Sequence, residues 1–244
     1  LLAESRDVRK SLTTRVFQHF VLGCQAFRET FGLPCEMESP SYLRLYDRPL
    51  LDPGLREEVL RRWQGGRLDL AAYTARPCRL RGEAGAPILP YSPEADVVLD
   101  ACGLKSLPLV GYGQVYRLAE LTGSTSDHFV KPSVVQALGA IGAAVWREEM
   151  PAMLAAERWI NHHEDGRFTG LPGLEIFIFE DSAGSMRAVQ HAAELLQSIG
   201  VAAQVRAFGV ARSPAKVAAL RAAGAQIFMD VNQAVAEALK LVQS

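Results

Sequence analysis

The 244 residues are 49% hydrophobic and 22% charged, with a formal net charge of -1, enough apolar material for one large core or a core with a small accessory domain. That charge balance excludes the basic footprint on which nucleic-acid binding rests. No run approaches the ~20 apolar residues of a membrane span and no signal-peptide pattern is visible, so a soluble cytoplasmic protein with no membrane partner is expected.

Residues 6–45 read as helical, with Val16, Phe17, Phe20, Val21 and Phe27 on an apolar face and a Pro- and Ser-rich loop behind them. They are expected to form a small helical cap. Pro53-Gly54 opens an amphipathic helix with Leu55, Val59, Leu60 and Trp63 along one face, and Leu68–Tyr73 follows as a strand. Leu107–Val110 is a shorter strand, with a helix from Gln114 to Leu121. Residues 134–163 are Ala-rich and helical, broken near Pro151, and supply a helical insertion about 141–171. Trp146 and Trp159 there offer a surface for a second subunit, the expected basis of a homo-oligomer. Leu174–Phe179 is the strongest strand signal, and the helix after it carries Met186, Val189, Ala193, Leu196 and Ile199 as a buried stripe. Val201–Val210, a helix from Pro214 to Ala223 and Gln226–Met229 complete the pattern. Short apolar strands alternating with helices predict an α/β protein, a Rossmann-like parallel sheet with helices on both faces spanning 46–244. Cys24, Cys35, Cys78 and Cys102 show neither CxxC spacing nor a metal-ligand rhythm, and are expected to be reduced and mostly buried.

In parallel sheets, ligands bind beyond the carboxyl ends of the strands, so the polar residues there are the candidates. Thr74, after Tyr73, can offer its hydroxyl to an anionic oxygen, with backbone N–H groups of Ala75 and Arg76 alongside. Lys131, held extended by Pro132, can neutralise a transferring phosphoryl group. Glu180 and Asp181 are adjacent carboxylates directly after the strongest strand, costly together unless a cation offsets their repulsion. Such hard oxygen ligands suit Mg²⁺. Each segment alone has a plainer explanation: a turn threonine, a solvated lysine, or Asp or Ser capping the next helix.

Together, in this order, the three segments resemble the haloacid dehalogenase superfamily of aspartate-nucleophile phosphohydrolases. The Thr74 segment resembles the family's second motif, Lys131-Pro132 the third, and Glu180-Asp181-Ser182 with Gly184 the acidic fourth. The tail from Lys216 to Gly224-Ala225, then Ile227-Phe228-Met229-Asp230, is similar as well. The resemblance covers 50–135 and 172–240. It implies Mg²⁺-dependent hydrolysis of a small phosphorylated substrate through an aspartyl-phosphate intermediate. Thr74, Ala75 and Arg76 would bind the phosphoryl oxygens, Lys131 would neutralise charge, and Glu180 and Asp181 would hold the metal. The family's first motif, a central strand ending in two aspartates one residue apart, has no counterpart at a suitable place. Leu1–Asp7 resembles the stretch that commonly comes after that motif, so the nucleophile is expected just upstream of Leu1.

Two other readings compete. Val110-Gly111-Tyr112-Gly113-Gln114 places a GxG between strand and helix as dinucleotide folds do, but the third glycine position holds Tyr116 and no acidic ribose partner is well placed. A phosphohydrolase-like fold kept as an inactive binding or regulatory module is the non-enzymatic alternative. His162-His163 with Glu164 and Asp165 reads as a solvated helix end, His128 as a neighbour of Lys131 without an assigned role, and Arg212 as a candidate phosphate contact beside Arg76.

Overall fold

The computed structural model describes residues 7–81, 91 and 93–242. The segment Leu1–Arg6, on which part of the resemblance to the first motif falls, lies outside the described residues. The chain forms two compact units, the first from Leu1–Pro49, Thr74–Ser106 and Gly111–Gly113, the second from Leu50–Tyr73, Leu107–Val110 and Gln114–Ser244.

The first unit is helical among its described residues: α1 (Leu12–Leu22), α2 (Cys24–Phe31), α3 (Tyr42–Tyr46) and α5 (Glu94–Ala101). Ser11 caps α1 by accepting the Thr14 N–H at 3.2 Å. Gly23, at φ +81°, turns the chain from α1 into α2, where a Cβ would lie 2.6 Å from the Ser41 nitrogen. Val8, Leu22, Phe27 and Phe31 make the core, with Ala26, Leu33, Cys35 and Val97 packed against it. The expected apolar face of the first helix is not the buried one: Phe17 is 59% exposed, and Gln18 and His19 are buried instead. Polar partners make this tolerable, since Gln18 donates to Glu94 Oε1 at 3.0 Å and His19 Nε2 lies 3.2 Å from Ser39 Oγ.

One expectation about the cysteines is overturned. Cys24 and Cys35 are joined as a disulfide, with Cα atoms 5.7 Å apart, while Cys78 and Cys102 are not. The loop of residues 32–41 folds back over the α1–α2 elbow, where the Cys24 N–H donates to Ser39 O at 2.9 Å and Ser41 Oγ to Val21 O at 2.7 Å. That return path, invisible in the spacing, brings the two sulfurs together.

The second unit holds α4 (Pro53–Gln64), β1 (Ala72–Tyr73), β2 (Leu109–Val110), α6 (Tyr112–Thr122, from Gln114 onward), α7 (Val134–Trp146), α8 (Glu149–His162), α9 (Gly166–Thr169), β3 (Leu174–Glu180), α10 (Ala183–Ser198), β4 (Ala203–Val210), α11 (Pro214–Ala222), β5 (Gln226–Phe228) and α12 (Val231–Leu241). Every strand pairing is parallel, as the α/β class requires: β1 with β2, and β3-β4-β5 in that order, Ile176 opposite Val205 and Phe208 opposite Gln226. The strands thus form two small sheets among the described residues, and β1 and β3 are each an end of their sheet. Phe208, 1% exposed, packs with Ala234, Ala238, Phe177 and Phe228, burying α12 on the second sheet. In α10, Met186, Val189, Ala193 and Leu196 are buried as the 3.6-residue spacing predicts, while Ile199 caps the helix.

Helix α7 packs on both α8 and α10. At Gly139 a Cβ would stand 2.3 Å from Met153 Sδ, so the glycine lets α7 and α8 approach closely. The helical break falls at Arg147, in the left-handed region at φ 57°, rather than at Pro151. Proline in the first turn of a helix loses no intrahelical bond, so α8 simply begins at Glu149 and runs through it.

Candidate active site

The carboxyl ends of β1 and β3 meet at one side chain. Lys131 lies in the segment leading into α7, its N–H held by the side chain of Gln136 at 2.7 Å, and its peptide bond to Pro132 is cis. Its ammonium donates to the Tyr73 carbonyl oxygen at 3.3 Å, at the end of β1, and to the Glu180 carboxylate, at the end of β3. It also sits over the Tyr73 ring, 4.1 Å from the centroid. Lys131 and Glu180 are only 13% and 11% exposed, a largely desolvated ion pair. Such a pair is held by mutual need, because removing one partner leaves the other charge buried and unpaired.

Asp181, the next residue, is 58% exposed and paired with the Lys216 ammonium from α11. Ser182 takes the N-cap position of α10 without a side-chain cap bond. The capping role that could have explained Asp181 and Ser182 is therefore not the one they fill, and both carboxylates are instead compensated by lysines. Glu180 and Asp181 are the hard oxygen donors available to a cation here, with Asp181 the one open to water.

Thr74, Ala75 and Arg76 continue the chain from β1 and belong to the first unit. Thr74 Oγ1 accepts the Arg76 N–H at 3.1 Å, so these residues form a tight hydroxyl-anchored turn. Arg76 is turned to Glu94, 3.7 Å away. Of the expected site residues, the structure brings Lys131 and Glu180 into direct contact, leaves Asp181 adjacent on Lys216, and gathers Thr74, Ala75 and Arg76 into one turn. Arg212 donates to Met229 O at 3.3 Å, and His128 Nδ1 lies 3.0 Å from Ser124 Oγ.

No family model, curated protein or solved structure matches the chain. The chemistry of the site rests on its own residues.

Three residues of the site carry no obvious signal in the sequence. Gln136 is fully buried in an otherwise apolar stretch, its amide donating to Val110 O at 3.3 Å while its oxygen holds Lys131. A lone glutamine amid valines and alanines was the available clue. Lys216 is one surface lysine among many until its partner is seen. Tyr73 reads as the last apolar residue of a strand, yet its ring is the platform under Lys131. Burial, and then the Glu180 charge, push its phenol well above the ordinary tyrosine range.

The glycines of Val110-Gly111-Tyr112-Gly113 have a use other than a pyrophosphate. A Cβ on Gly113 would lie 2.3 Å from the Cys78 carbonyl oxygen, and one on Gly111 3.0 Å from Arg76 O. The Tyr112 N–H donates to Arg76 O at 3.0 Å and the Gly113 N–H reaches Cys78 Sγ at 3.2 Å. Both glycines serve close backbone approach inside the first unit.

Proposed function

We propose that the protein is a Mg²⁺-dependent phosphohydrolase of the haloacid dehalogenase type, acting in the cytoplasm on a small phosphorylated substrate. The observation that carries this reading is Lys131, whose ammonium joins the carboxyl ends of β1 and β3 beside two adjacent carboxylates. A fixed cation at converging strand ends is what a transferring phosphoryl group requires, since its charge is spread over three oxygens. In the resembling family the strand between these two bears the nucleophile, and β1 and β3 are the strands that end their sheets here.

The donor set fits the metal: Mg²⁺ takes one or two carboxylates and completes its shell with water and substrate oxygens, and Asp181 is exposed and already attracts a cation. Bound there, the ion supplies charge neutralisation at the phosphoryl oxygens. Lys131 holds a non-bridging oxygen, oriented by Glu180 and Gln136, while Thr74 and the N–H groups of its turn present donors to the others. The attacking aspartate of the aspartyl-phosphate route is not among these residues, whose work is binding, orientation and charge balance.

The test is hydrolysis of an aryl phosphate by the full-length protein, its N-terminus verified by mass, with and without Mg²⁺. Activity that needs Mg²⁺ is expected, falling about 10²-fold or more in Lys131→Ala and in Asp181→Ala. Binding of inorganic phosphate without turnover would instead select the inactive binding module. Absence of both binding and turnover would remove the phosphohydrolase reading.

A further inference from the structure

The first unit contains a second donor cluster, unrelated in chemistry to the carboxylates. His19, in the last turn of α1, Cys24, the first residue of α2, and Cys35, on the returning loop, place one imidazole nitrogen and both sulfurs within 4.8 Å of one another. His19 and Cys24 are 2% and 1% exposed. The cluster is walled by Phe20 and Phe27, whose ring centroids lie 5.3 and 5.6 Å from that of His19. Ser39 Oγ, 3.2 Å from His19 Nε2, fixes the ring in place, a support that metal-bound histidines commonly have. Gly23 makes the elbow that allows this convergence, and the Cys24 N–H bond to Ser39 O fastens the loop across it.

We propose that His19, Cys24 and Cys35 form a thiol-gated site for a borderline-soft divalent cation of the Zn²⁺ class. Two thiolates and an imidazole are the donors such a cation prefers, and they leave a fourth tetrahedral position for water or an outside ligand. While Cys24 and Cys35 are joined, the sulfurs are bonded to each other and carry no thiolate charge, so the site is closed. A dithiol opens it: two electrons and two protons pass to the protein, giving two cysteine thiols, and the dithiol becomes a cyclic disulfide. Cation binding then displaces both thiol protons to solvent, which makes affinity rise with pH. The buried setting suits this role, because a cation held there is shielded from competing water and ties α1, α2 and the loop together in place of the S–S bond.

The experiment titrates Co²⁺ into the full chain, once oxidised and once reduced with a phosphine, which competes little for metal. One equivalent is expected to give a thiolate-to-cobalt charge-transfer band and tetrahedral ligand-field bands in the reduced chain alone. His19→Gln should keep the charge-transfer band, shift the ligand-field bands, and weaken binding by about tenfold or more. Cys35→Ser should lose binding. Should Cys35→Ser not fold, the Cys78→Ala/Cys102→Ala double variant decides the matter, since it must retain the full spectrum. A reduced chain with an unchanged spectrum, or bands lost in that double variant, would overturn the proposal.

Discussion

Gly113 and Tyr73 show how much a single atom decides. A methyl on Gly113 meets a backbone carbonyl, which cannot rotate away as a side chain could. Gly113→Ala is therefore expected to cost about 1–3 kcal/mol as an overpacked site, measured by urea denaturation of the purified variant. Unchanged stability would mean that the turn shifts freely. At Tyr73 the hydroxyl is buried without a hydrogen-bond partner among the described residues. Removing it leaves the ring under Lys131 intact, so Tyr73→Phe should change stability at neutral pH by less than about 0.5 kcal/mol, or raise it. Its alkaline behaviour is more telling. The folded phenol titrates above its ordinary value of 10.0, so its contribution to stability is complete below that pH and is lost as the pH climbs toward the folded value. In a tyrosinate absorbance titration the variant should lack the last step of the six-tyrosine curve, and its stability should decline less steeply above pH ~10. An unaltered last step would show that Tyr73 is not the buried phenol.

Elements were legible in proportion to the local signals that define them. Helix α4 starts where Asp52 and Pro53 start it, the carboxylate accepting the N–H groups of Gly54 and Leu55, and β3 and α10 fall where β-rich and 3.6-spaced apolar residues put them. Strand β1 is only Ala72–Tyr73 instead of Leu68–Tyr73, because pairing with the two-residue β2 limits its ladder and no local pattern reports a partner's length. The buried face of α1 was misjudged for the same reason: Glu94 and Ser39, which satisfy Gln18 and His19, lie far along the chain. Of the site, the residues that chemistry marks (Lys131, Glu180, Asp181) could be read from type and position, and their partners could not. Glu149 is a further partner of this hidden kind. Its carboxylate accepts the buried Leu109 N–H at 2.7 Å and the Gln114 amide at 2.9 Å, fastening the start of α8 to β2. Glu149→Ala strands both donors and should cost about 1.5–3 kcal/mol by chemical denaturation. Glu149→Gln, which keeps an acceptor, should cost clearly less, and equal costs would argue that helix-end charge matters more than the strand bond.

At the scale of the whole molecule, the two units are stabilised by different means. The second rests on strand ladders and on Phe208 and its neighbours, a hydrophobic core indifferent to redox conditions. The first has a smaller cluster around Phe27 and a covalent link across 11 residues of chain. Closing a loop of that length restricts the unfolded ensemble and is worth about 2–3 kcal/mol. Reduction therefore acts on one unit and spares the other. Amide exchange followed by mass spectrometry should show the protection of α1 and α2 falling when a phosphine cuts Cys24–Cys35 in chelated buffer, with the β3–β4 ladder unchanged. If the β3–β4 amides loosened by the same factor, the units would be opening as one cooperative body, and the division of stability between link and core would be wrong.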